Sequence, residues 1–77
     1  MFLDLKRLKA ERIAKGFTQD ELSEKMGWKT RTPYAKRENG LVAIGADELG
    51  RIATILGYSE NDLHIFFTKN VPEKERK

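Results

Sequence analysis

Seventy-seven residues with 15 Lys+Arg, 12 Asp+Glu, one histidine and no cysteine suit one small domain and argue against an enzyme with a large enclosed pocket. Without cysteine there is neither a disulfide scaffold nor a thiolate zinc site, and His64 alone builds no histidine cluster, so no metal or cofactor is expected. No apolar run approaches the about 18–20 residues of a membrane span, and Met1-Phe2-Leu3-Asp4 turns charged at once, with no secretion signal, so the expected location is cytoplasmic.

From 3 to 15, Leu5, Leu8 and Ile13 fall among charges at the spacing of a surface helix, which Gly16 ends. Thr18 with Glu21 three residues on forms a capping box for a second helix, with Leu22 and Met26 on one face and Gly27 as its C-terminal stop. A third short helix starts at either Thr30 or Thr32, with Pro33 tolerated in the first turn under both choices, and ends near Glu38 or Asn39, before Gly40. A fourth runs over about 46–56 with Leu49, Ile52, Ala53 and Leu56 as its buried stripe, and Gly57 closes it. Ser59 with Asp62 opens a fifth helix containing Leu63, Phe66 and Phe67. No strand signal is visible. The reading is an all-α bundle of five helices over 1–67, followed by a polar tail over 68–77.

The charge is unevenly spread. Residues 1–40 hold ten basic and six acidic side chains, residues 41–77 five and six. Lys29, Arg31, Lys36 and Arg37 follow one another with no acid between them, so the third helix is the electropositive element. Two short helices separated by a glycine turn, the second basic and capped by threonine, suit entry into a DNA major groove about 12 Å wide. Arg31, Thr32, Pro33 and Lys36 are then placed at base edges, Arg31 as a bidentate partner for guanine and Thr32 or Pro33 against a thymine methyl.

The chain resembles the phage-repressor/Cro-type (xenobiotic-response-element) helix-turn-helix family. The resemblance is carried by Leu5, Leu8 and Arg12, by Phe17-Thr18-Gln19-Asp20-Glu21-Leu22-Ser23, by Met26-Gly27, by Glu38-Asn39-Gly40 and by Leu49, Ile52-Ala53 and Leu56-Gly57. It implies a five-helix lambda-repressor-like domain that binds double-stranded DNA. It further implies that Gln19 holds a backbone phosphate and that Ser23 is the small residue between the two helices. Tyr34 falls where the family places an apolar core residue. Arg12 and Glu38 match a partly buried ion pair, and Asn39 and Gly40 a turn whose backbone N–H groups face phosphate. Three departures stand out. The stretch from Gln19 to Asn39 is one residue longer than usual, with the extra residue placed in Trp28-Lys29-Thr30. Arg37 replaces an apolar residue and is expected to snorkel outward to phosphate, beside Lys29 and Thr30. Leu41-Val42-Ala43 replaces a loop often rich in Lys and Arg.

Plainer roles suffice elsewhere: Trp28 as packing at the turn, Ser23 and Ser59 as small-packing and capping residues, His64 as a surface or interface residue. The apolar residues Leu41, Val42, Ala43, Ile65, Phe66 and Phe67 exceed what so small a core can cover, which points to a homodimer interface. Two recognition helices about 34 Å apart then read a pseudo-palindromic operator. With no sensing domain in view, the expected function is a Cro-like or small phage or prophage repressor that excludes polymerase. A competing reading is a protein-interaction module on the same fold, such as an antitoxin. An enzyme is not expected, for want of a nucleophile–base pair, metal ligands or a phosphate loop.

Overall fold

The computed structural model describes residues 2–69; the expected tail over 68–77 lies outside them beyond Lys69. The element order is β1 (Phe2–Leu3), α1 (Leu5–Ala14), α2 (Gln19–Lys25), α3 (Thr32–Glu38), α4 (Ala46–Ile55), a 3-10 helix (Glu60–Phe66) and β2 (Phe67–Thr68).

Local chemistry explains most boundaries. Asp4 starts α1 by accepting from the Arg7 N–H at 3.1 Å. Thr18 and Glu21 exchange side-chain and backbone hydrogen bonds of 3.0 and 2.9 Å at the head of α2. The four α-helices end alike, each in a positive-φ glycine (Gly16, Gly27, Gly40, Gly57) whose following residue donates its N–H to a carbonyl five residues back, such as Leu41 N–H to the Lys36 carbonyl at 2.8 Å. At Gly40 the requirement is double, because φ is +82° and a Cβ would meet Leu5 Cδ1 at 3.3 Å.

Three expectations need correction. Neither threonine caps α3: Arg31 holds the position before it with helical angles and no side-chain cap bond, while the Thr30 carbonyl accepts from the Ser23 hydroxyl at 2.5 Å. The fifth helix is a 3-10 helix, opened by Ser59 and Asp62. A short antiparallel ribbon is also present, with Phe2 opposite Thr68 and Leu3 opposite Phe67, where no strand was expected. Asp4 N–H extends it, donating to the Phe66 carbonyl at 2.6 Å.

The core joins Leu8, Leu22, Met26, Tyr34, Leu49, Ile52, Ala53, Leu56 and Phe66. Tyr58 packs edge-on against Phe66, with ring centroids 5.7 Å apart. Ile13 does not join it and is 57 % exposed. The inward stripe of α1 runs Leu5, Leu8 and Arg12 at i, i+3 and i+7, and Ile13 falls one helical step outside it. Phe66 is fully buried, so its expected place in a dimer interface is withdrawn: neighbouring side chains diverge here, and Phe67 takes the outward position at 36 % exposure.

Candidate nucleic-acid interface

Beneath the third helix lies a buried polar cluster. Arg12 on α1 donates from Nε and Nη2 to the two Glu38 carboxylate oxygens at 2.8 and 3.1 Å, and from Nη1 to the Phe17 carbonyl at 2.6 Å. Gln19, at the start of α2, adds its amide to Glu38 Oε1 at 3.0 Å. Three elements are thereby pinned to one carboxylate. Burial pushes the Glu38 carboxyl up, but the bonds from Arg12 and Gln19 and the nearby Tyr34 hydroxyl outweigh it and hold the group below the usual carboxylate range. The Tyr34 hydroxyl is buried beside this pair with no hydrogen-bond partner among the described residues, and burial first, then the neighbouring Glu38, raises its pKa.

This framework presents the start of α3 outward. Lys29, Thr30, Arg31, Thr32 and Lys36 are exposed and Pro33 is half-buried. Thr32 and Lys36 are one turn apart on one face of α3. Arg31 also lines an open groove with Arg12, Phe17, Thr18 and Gln19, between the end of α1 and the head of α2. Of the residues expected at phosphate, Gln19 lies at the edge of this groove with its amide nitrogen committed to Glu38.

Two phosphate assignments are corrected by the geometry. The Asn39 and Gly40 N–H groups do not face outward but donate to the Ala35 and Arg37 carbonyls at 2.9 and 3.1 Å, as the end of α3 requires. Arg37 does not snorkel. Its Nε and Nη2 bind both Glu48 oxygens at 2.9 and 3.0 Å, Nη1 donates to the Pro33 carbonyl at 2.8 Å, and the guanidinium stacks on Trp28 at 4.5 Å. The Arg37 hydrogen bond holds the Glu48 carboxyl below its usual value. Sequence reasoning missed Glu48 as a partner of Arg37. The available signal was an unmatched arginine at an apolar position of α3 facing an acid in the first turn of α4.

The helix-turn-helix family model matches residues 8–63, and the chain belongs to this Cro/C1-type family of DNA-binding regulators. No curated protein and no solved structure matches the chain. Among the described residues, no helix is long and apolar enough to cross a membrane, and no cluster of His, Cys, Asp and Glu would hold a metal ion.

Proposed function

We propose that the chain is a small repressor of the phage or prophage Cro-like type, occupying a pseudo-palindromic operator as a homodimer. The supporting observation is the outward set Lys29, Arg31, Thr32 and Lys36 at the start of α3, braced from below by Arg12, Glu38 and Gln19. In this reading Arg31 pairs with guanine, Thr32 and Pro33 pack on a thymine methyl, and Lys36 reaches a base edge one turn on. Lys29, Thr30, Gln19 and the Asn39 side chain hold phosphate and set register. Glu38 at 5 % exposure is too deep to repel DNA, and its charge is offset by Arg12.

The dimer reading rests on Leu41, Val42 and Ala43, all exposed (Leu41 at 75 %), with Phe67 and half-buried Ile65 as further apolar surface. The same exposed loop favours the second reading, a protein partner such as a toxin. Sedimentation of the chain with and without selected DNA separates them. Two copies on one duplex support the repressor. One copy per site, with a stoichiometric protein partner on purification, supports the interaction module.

A further inference from the structure

Arg37 departs from the family pattern, and its surroundings give it a task. One planar side chain touches three parts of the molecule. Its face lies on Trp28, in the turn between α2 and α3. Its edge binds Glu48 in the first turn of α4, and its remaining nitrogen holds the Pro33 carbonyl in the first turn of α3. Glu48 Oε1 also accepts from the Gly45 N–H at 3.1 Å, so the same carboxylate fixes the start of α4. The pair is sheltered, with side-chain exposures of 18 and 26 %. A DNA phosphate would have to displace a bidentate carboxylate to reach it. An arginine fork makes this contact where lysine, a point charge on a flexible stem, does not.

We propose that Arg37 is a positioning residue for α3: with Trp28 and Glu48 it sets the angle at which Arg31, Thr32 and Lys36 are presented, and so governs discrimination between DNA sequences without touching DNA. The residue before α3, Arg31, makes no side-chain cap bond, and the Trp28–Arg37–Glu48 stack holds the start of that helix instead. This rests on α3 being the element that reads DNA.

The test compares wild type with Arg37→Met, Arg37→Lys and Glu48→Gln, measuring affinity for a selected operator and for random-sequence duplex across a salt series. Circular dichroism confirms folding, and Arg37→Lys, which keeps the charge, serves if Arg37→Met does not fold. The expected result is a fall of about tenfold or more in the specific-to-random ratio for every variant. The salt slope is expected to stay unchanged, because no neutralised phosphate is lost. Glu48→Gln is the sharpest arm, since removing an acid would strengthen binding to all DNA evenly if it did nothing else. The proposal is overturned if Arg37→Met lowers the slope by about 0.9 with the ratio intact and Arg37→Lys restores it, the signature of a phosphate ligand. An unchanged ratio in all variants also overturns it. If wild type itself prefers no sequence, the reading of α3 fails first, and that outcome is distinct because it is seen before any substitution.

Discussion

Replacing Glu38 with alanine removes the carboxylate that faces the Arg12 guanidinium. Three donors lose their acceptor at once: Arg12 Nε, Arg12 Nη2 and Gln19 Nε2. The two charged side chains are 8 and 2 % exposed, so solvent screens little of the loss. Breaking a buried pair by removing one partner costs about 3–5 kcal/mol, because the other charge stays buried and uncompensated. A domain of this length holds about 4–12 kcal/mol in total, at roughly 0.05–0.15 kcal/mol per residue. Glu38→Ala therefore takes a large share of the stability. With a urea m-value near 1 kcal/mol/M, the midpoint falls by about 3–5 M. Urea unfolding followed by the fluorescence of Trp28, the one tryptophan, measures it. The companion Arg12→Met/Glu38→Leu removes both charges and is expected within about 1 kcal/mol of wild type, or more stable. A loss below about 1 kcal/mol for Glu38→Ala, or a double variant as unstable as the single one, would refute the reasoning.

Other outcomes follow from the same geometry. Glu11, which accepts from the Tyr58 hydroxyl and the Arg7 guanidinium, titrates below its ordinary range, as do Glu38 and Glu48, so the stability they contribute is complete above the unfolded value of about 4.3 and is lost as pH falls through their lowered folded values. The urea midpoint should hold from pH 7 to about 5.5 and drop below about pH 4.3, and a midpoint that rises on acidification would contradict this assignment. Gly40→Ala is expected to cost about 1–2 kcal/mol or more through its positive φ, with the Leu5 contact adding to the strain. Gly50→Ala, inside α4 with open space at its Cβ, should instead stabilise by up to about 1 kcal/mol; thermal melts of the two variants moving in the same direction would be inconsistent with both environments. Arg31→Ala should cost about 1–3 kcal/mol on the selected site and relax one base-pair position, whereas Lys29→Ala weakens all sequences evenly and lowers the salt slope by about 1. Identical behaviour of the two across randomised sites would remove the base-edge role of Arg31.

What the sequence disclosed was largely local. The Thr18–Glu21 box, the stops at Gly16, Gly27, Gly40 and Gly57, and the stripe of Leu49, Ile52, Ala53 and Leu56 each depend on residues within one or two turns. Periodicity and capping chemistry report such features directly. The β1–β2 ribbon joins two-residue segments from opposite ends of the described chain, too short to show any alternation. Which of Phe66 and Phe67 turns inward depends on how the 3-10 helix lands on α1 and Tyr58, a tertiary outcome. At the interface, composition marked the basic stretch 29–37 as one surface, yet Arg37 belongs to the interior side of α3 and is neutralised by Glu48 from across a loop. Charge counted along the chain does not reveal which cations are already paired. The Asn39 and Gly40 amides were misassigned for a related reason, since a helix end claims its own N–H groups before any ligand does.

The central claim, that α3 reads DNA sequence within a paired operator complex, is tested most directly by selecting bound duplexes from a random pool with the full chain. Enrichment of two related half-sites in inverted repeat, centred about 10–10.5 base pairs apart, is the expected result. A pool that stays random after repeated rounds, or binds only through salt-sensitive, sequence-independent affinity, would contradict it.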